Sequence, residues 1–282
     1  MRVASSARTV KTPSPATRPA AQAGRFYPAS PPSLARLVER FTSEARPGRS
    51  LSPKAVIAPH AGYTYSGPIA GSAFAPWLPD ADRIRRVVLL GPSHWVSFPG
   101  LALPDVSALA TPLGEVPVDL DAVRSLAAHP QVRVFSSAHE REHCLEVELP
   151  FLQVLLRDFA ILPLVVGSAS DEEVREVVDA LWGGDETRFV ISSDLSHYLG
   201  YDAARRLDRT TAGAIEESRP DVLTGDHACG YRPVRGFLAA AAGHGLTAET
   251  VDLRNSGDTA GPRDEVVGYG AFLFAPLAVG SG

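Results

Sequence analysis

Val87-Val88-Leu89-Leu90-Gly91-Pro92-Ser93-His94-Trp95 is a run of four branched apolar residues stopped by Gly, Pro, Ser and His. A short, unbroken apolar run ended in this way predicts a strand buried on both faces, as in a sheet covered by helices. His94 is then the first functional side chain beyond the carboxyl end of a central strand, the edge where open α/β sheets bind ligands. One such histidine is weak evidence, because a loop histidine bonded to backbone looks the same. The pattern recurs, however. Ala55-Val56-Ile57-Ala58 ends at Pro59-His60-Ala61-Gly62-Tyr63, and Phe189-Val190-Ile191-Ser192-Ser193 ends at Asp194-Leu195-Ser196-His197. If the three strands lie side by side in one sense, His60, His94, Asp194 and His197 converge on one crevice. Imidazole and carboxylate are donors for zinc and for redox iron or copper, and a metal needs its donors close in space, not in sequence.

The rest of the chain reads as alternating elements. Leu34, Leu37, Val38 and Phe41 at helical spacing predict an amphipathic helix over 32–45. After Tyr63 the Gly-rich continuation through Ser66-Gly67 to Gly71-Ser72-Ala73-Phe74 suits a loop leading into a helix. Residues 101–118 read as β-structure with a turn at 113–115, followed by a helix over 119–128 begun by Asp119 and a short strand over 131–135. A helix with a broad apolar face is expected from Glu146 to Phe159. A strand over 161–167 precedes a helix capped by Ser170 or Asp171 and running to Trp182. Helices fill 201–218 and 233–243, and strands over 247–253 and 266–274 close the chain. Strands alternating with helices predict a three-layer α/β/α fold on a mixed, largely parallel sheet, in one domain over 23–282.

Composition narrows the function. Residues 1–22 carry +4, so the remainder carries −9 against a total of −5. An acidic body argues against a nucleic-acid surface. No apolar run approaches the roughly 20 residues that span a bilayer, so no membrane association is expected. Two cysteines, Cys144 and Cys229, are too few for a disulfide framework, which makes a reducing cytoplasm the expected compartment. Residues 1–22 are basic, rich in Ser and Thr, and carry prolines at 13, 15 and 19; they lack the apolar core of a secretory signal and read as a disordered tail.

Two further pieces belong with the strand-end histidines. Glu142-His143-Cys144-Leu145-Glu146 sits just before the long helix, and Asp226-His227-Ala228-Cys229-Gly230 precedes another. A cysteine near a helix N-terminus is expected to have a lowered pKa, as a nucleophile or a soft metal ligand, although free cysteine is also a common small core residue. Gly230 leaves room for a close backbone approach. His129, His139 and His244 lie in surface-like segments and receive no role. There is no Gly-x-Gly-x-x-Gly, P-loop or Gly-x-Ser-x-Gly signature.

These blocks, together with Ala23-Gly24-Arg25-Phe26-Tyr27-Pro28 and Tyr63-x-Tyr65-Ser66-Gly67, resemble the MEMO family, whose bacterial and archaeal members are called AmmeMemoRadiSam system protein B. The resemblance covers residues 22–275. That family in turn resembles in fold the class III, LigB-type extradiol dioxygenases, non-haem Fe(II) enzymes that open catechol rings. The resemblance implies that His60 and His94 are metal histidines and that His197 is the acid/base histidine. Cys229 falls where those dioxygenases place a carboxylate ligand. A thiolate there favours softer metals such as Cu(I) and departs from ordinary extradiol cleavage. Cys144 stands where the family commonly has serine.

The expectation is therefore a metal-dependent redox enzyme, dioxygenase-like, acting on an unknown small molecule. His60, His94 and Cys229 would hold Fe(II), with Cu second and Zn third; Asp194 would be a fourth ligand or orient one; His197 and His143 would move protons. One alternative is a non-catalytic binding or regulatory protein that retains the pocket. The family resemblance adds a radical-SAM system protein as partner, and phosphotyrosine-peptide binding in animal members. A Zn-dependent hydrolase is the third reading.

Overall fold

Val87, Val88, Leu89 and Leu90 are fully buried in the middle of a strand, as their unbroken apolar run requires. The computed structural model describes residues 16–49 and 52–276, so the first fifteen residues of the expected tail lie outside the described residues. In chain order the early strands are β1 (Thr17–Arg18), β2 (Ala55–Ala58), β3 (Arg86–Pro92), β4 (Leu101–Leu103), β5 (Ala108–Thr111) and β6 (Gly114–Pro117). The later ones are β7 (Val132–Val134), β8 (Ala160–Val166), β9 (Thr187–Ser192), β10 (His197–Leu199), β11 (Leu246–Asn255) and β12 (Val266–Pro276). The helices are α1 (Pro31–Ser43), α2 (Tyr63–Phe74), α3 (Leu120–Ser125), α4 (Ser137–Glu140) and α5 (Leu149–Leu155). They are followed by α6 (Asp171–Ala180), α7 (Tyr201–Glu216), α8 (Tyr231–Gly243) and α9 (Ser256–Thr259).

Nine strands form one mixed sheet in the order β10-β12-β2-β9-β3-β8-β4-β7, with β11 paired to β12. The centre, β2-β9-β3-β8, is parallel throughout, and the flanking β12 and β4 run antiparallel to it. Helices α1, α2 and α5 pack together on one face, while α6 and α8 pack as a pair on the other. The result is the three-layer α/β/α arrangement expected from the alternation of elements. A small separate sheet, β1-β5-β6, lies beside it.

Several local signals behave as their chemistry dictates. Asp119 caps α3 by accepting from the Ala122 N–H at 2.9 Å. Ser170 and Glu173 form a reciprocal capping box at the start of α6.

Three expectations need correction. Residues 16–22 are not part of a disordered tail. Thr17 and Arg18 pair in parallel with β5, and the buried Arg18 guanidinium donates to the His139 and Glu142 carbonyls and to Glu146. Composition concealed this, because one buried ion pair outweighs a Pro-rich, polar context.

The apolar run after Glu146 gives only a 3₁₀ turn at Glu146–Glu148 and the short α5, ended by extended backbone at Leu156. Its breadth of burial reflects packing on several sides, not helix length.

Third, the Gly-rich stretch is helix from Tyr63 onward, not loop. A Cβ at Gly71 would run into the Phe41 carbonyl of α1, so this glycine serves the close approach of two helices. Gly71→Ala would ordinarily stabilise an exposed helix by up to about 1 kcal/mol. Here it is expected to destabilise by about 1–3 kcal/mol through overpacking, readable by urea denaturation.

Candidate metal centre

Register places the candidate residues. Ala58 pairs with Ser192 across β2 and β9, and Leu90 pairs with Ile191 across β9 and β3. The three strands therefore end level, and the backbone beyond them delivers His60, Asp194 and His94 to the same edge. This is the convergence expected for a parallel centre. The fourth contributor, Cys229, comes from the turn before α8. Its neighbour Gly230 has no room for a side chain, since a Cβ there would lie 2.7 Å from Ser193 Cβ. The glycine lets this turn close onto the end of β9, and the Cys229 N–H donates to the Asp194 carbonyl at 3.3 Å.

One ligand atom each from His60, His94 and Cys229 lies within 4.8 Å of the others. His60 Nε2 stands 3.2 Å from Cys229 Sγ, and the His60 and His94 rings meet edge to face at 5.2 Å between centroids.

Each imidazole is held through its other nitrogen. His94 Nδ1 is 2.8 Å from Glu142 Oε1, and the other oxygen of that carboxylate accepts the His94 N–H at 2.7 Å. His60 Nδ1 is 2.8 Å from Ser192 Oγ, which in turn lies 2.7 Å from both the Cys144 carbonyl oxygen and Glu148 Oε1. With Nδ1 engaged in both rings, Nε2 is the nitrogen left for a metal, the usual state of a metal-ligating histidine. Two imidazoles and a thiol are a donor set that fits a transition metal.

His94, Glu142 and His143 also have ligand atoms within 4.8 Å of one another. Glu142, however, already binds His94 twice and accepts the N–H groups of His143 and Cys144. Burial pushes its carboxyl up, but the hydrogen bond and charge of His94 outweigh it and hold the group down to about 2. Glu142 therefore organises the loop as a fixed anion.

The remaining candidates surround this centre. Asp194 Oδ1 accepts the His60 N–H at 2.8 Å, which commits it to holding the His60 loop. Burial raises its carboxyl to about 7, against the lowering effects of the His60 N–H, the His94 charge and the Ala61 N–H. His143 stacks on His94, with centroids 4.6 Å apart, and leans on Phe26 at 4.8 Å. Burial, then the His94 charge, lowers it to about 4, so it is neutral near pH 7. His197 Nδ1 donates to the Leu195 carbonyl at 2.8 Å, which leaves Nε2 as its basic atom. Burial lowers His197 as well.

The expected thiolate at Cys229 is corrected by the same geometry. Burial, with the nearby Asp194 charge, pushes its thiol up, overriding the hydrogen bonds that favour ionisation. His139, expected at the surface, is buried with Nε2 on the Ala102 carbonyl, and its role is structural.

His60, His94, Cys229, Asp194, His143 and His197 all line one cavity of about 650 Å³. Phe26, Tyr65, Tyr198 and Tyr269 supply aromatic walls that the sequence reading did not assign. Tyr198 has its backbone in the left-handed region (φ 56°) and an exposed ring, a strained conformation of the kind that gathers at functional sites. The available signal was position: Phe26 lies in Ala23–Pro28, Tyr65 in the block from Tyr63 to Gly67, and Tyr198 directly follows His197.

The Asp194–His197 loop is braced by Asp208, whose Oδ1 accepts the Ser196 N–H at 3.1 Å. Burial raises the Asp208 carboxyl from 3.8 to about 6, only partly offset by its bonds to Ser196. A raised folded-state pKa stabilises fully below the unfolded value and loses that contribution as pH climbs through the folded one. The Asp208 contribution to stability is therefore expected to fall by up to about 3 kcal/mol between about pH 4 and pH 7, and Asp208→Asn is expected to remove that part of the profile in urea titrations.

Comparison with known proteins completes the description. A family model described as Memo-like protein matches residues 18–273. A MEMO1 family protein of Archaeoglobus fulgidus is 35% identical over 268 residues, covering 89% of this chain and 97% of its own length. One from Aeropyrum pernix is 36% identical over 276 residues, covering 89% and 97%. One from Aquifex aeolicus is 33% identical over 268 residues, covering 91% and 98%.

Proposed function

The chain belongs to the Memo-like protein family, and from that premise we propose that it is a non-haem metal protein performing redox, dioxygenase-like chemistry on a small molecule. The observation that carries this reading is the triad of His60, His94 and Cys229, with ligand atoms within 4.8 Å on the wall of a 650 Å³ cavity. These three residues would hold the metal, with iron the first choice and copper the second. Bound there, the ion would supply one-electron and oxygen chemistry, and its charge would offset the burial that keeps the Cys229 thiol protonated.

The chain's own residues account for the rest. His60 and His94 are pre-set with Nδ1 engaged, which turns Nε2 toward the centre, so binding a cation requires no tautomer change. His197, neutral and with its Nε2 basic, can take a proton from a hydroxyl entering the cavity. His143, also neutral and stacked on His94, is a second acceptor beside the Phe26 wall. Asp194, at about 7, can exchange a proton near neutral pH while it holds the His60 loop. The aromatic walls favour a flat ligand and restrict the water around it.

The test is direct. Protein purified without oxygen is expected to bind about one Fe(II) or Cu per chain, the count that one open triad implies. The iron-loaded form is expected to consume oxygen with at least one member of a panel of catechols and related phenols. Stoichiometric zinc with no iron or copper, and no oxygen uptake, would overturn the redox reading. No helix among the described residues is long and apolar enough to cross a membrane.

A further inference from the structure

Glu148 is a carboxyl group with no exposure to solvent, and it sits one hydroxyl away from the candidate ligand His60. Its Oε1 lies 2.7 Å from Ser192 Oγ, while its Oε2 is buried and has no partner. Among the described residues no cation pairs with it. Deleting the acid would simplify the core, so its retention beside the ligand calls for a reason.

Hydrogen-bond accounting supplies one. Ser192 Oγ has one proton to give and two lone pairs with which to accept. Three groups surround it: the Cys144 carbonyl, His60 Nδ1 and Glu148 Oε1, at 2.7, 2.8 and 2.7 Å. The carbonyl can only accept, so it takes the Ser192 proton. His60 then donates Nδ1–H to Ser192, and Glu148 fills the last position by donating from a protonated Oε1. Every donor is matched, and the bare Oε2 is a neutral carbonyl oxygen, far cheaper to bury than half of an ion. Burial pushes this carboxyl well up, in the same direction.

We propose that Glu148 is a positioning residue for metal ligand His60, acting as a neutral acid through Ser192. The two histidines of the centre then differ by construction. His94 leans directly on the carboxylate of Glu142, which draws its Nδ1 proton away and makes Nε2 a strong, electron-rich donor. His60 leans on a hydroxyl saturated by neutral groups and remains an ordinary neutral imidazole. One strong and one weak nitrogen donor beside a thiol would set the ion's electronic asymmetry.

This inference rests on the reading of His60, His94 and Cys229 as a metal site, and the experiment separates the two. Co(II) affinity and the thiolate-to-cobalt absorption band are measured anaerobically for the parent chain and for Ser192→Ala, Glu148→Leu and Glu148→Gln. No Co(II) binding by the parent chain overturns the metal site itself. With the parent binding, Ser192→Ala and Glu148→Leu are expected to weaken affinity by about 10–100-fold and to shift the band. Glu148→Gln, which still donates from a neutral group, is expected to restore affinity to within about threefold of the parent. Parent-like affinity in Ser192→Ala overturns the positioning role. A Gln variant as weak as the Leu variant overturns the neutral acid. Circular dichroism on each variant separates these outcomes from misfolding, and Ser192→Ala, the smallest change, carries the test should Glu148→Leu not fold.

Discussion

Replacing His60 and His94 together by alanine is expected to lower affinity for Fe(II) or Cu(I) by more than about 100-fold, since loss of even an outer partner of a ligand commonly costs 10–100-fold. The two rings supply two of the three donors that lie within 4.8 Å. The variants also differ in their structural load. His60 is buried and bonded to Ser192, whereas His94 is partly exposed, so His94→Ala alone should leave the fold least disturbed. Anaerobic competition against a chromogenic chelator reads the affinity, and thermal unfolding of the apo forms checks the fold. Unchanged metal binding in a folded double variant would sink the assignment. Cys229→Ser sharpens the result. An alkoxide or hydroxyl is a harder donor than sulfur, so Cu(I) affinity should fall more than Fe(II) affinity.

The second large effect is at the other end of the chain. Arg18→Ala is expected to destabilise the protein by about 3–5 kcal/mol, because it leaves the Glu146 carboxylate buried without its cation. Arg18 Nη1 is 2.6 Å from Glu146 Oε2, and the Glu146 side chain has no exposure. Glu146 also accepts the Ala21 and Gln22 N–H groups and the Tyr27 hydroxyl. Glu146→Ala would orphan all of these donors and should be at least as severe. At this chain length the loss corresponds to a Tm drop of roughly 10 °C, measurable by calorimetry. A variant with parental Tm would mean that the segment is not anchored through this pair. Phe26 follows the clamp and packs on His143, so a loosened segment should also open one wall of the cavity.

What the sequence reveals about this molecule depends on how local each cause is. Val87–Leu90 announce a doubly buried strand because a fully apolar run has few other fates. Level strand ends follow from the parallel order β2-β9-β3, and that order was a condition of the reading, met only when the strands pair. Caps at Asp119 and Ser170 were readable because their partners lie three residues away. The Arg18–Glu146 clamp was not, because its partners are 128 positions apart. Gly71 misled for the same reason: nothing near it in sequence states that Phe41 will press against it. At the site, His60, His94 and Cys229 were visible from strand ends and family blocks. Glu148 was hidden in an apolar run where a single acid reads as a surface residue of a helix, and the raised thiol of Cys229 follows from burial that no local pattern records.

The wide sequence spacing of the centre also bears on the order in which a growing chain can complete it. His60 and Cys229 are 169 positions apart, and the clamp on residues 18–27 waits for Glu146. A ribosome must therefore release most of the polypeptide before the third donor exists, and the earliest segment made is among those locked after a long wait. Truncated products have histidines at strand ends and no sulfur donor to join them. On the proposed reading of His60, His94 and Cys229 as a metal site, the complete three-donor set exists only in a chain whose synthesis has passed Cys229.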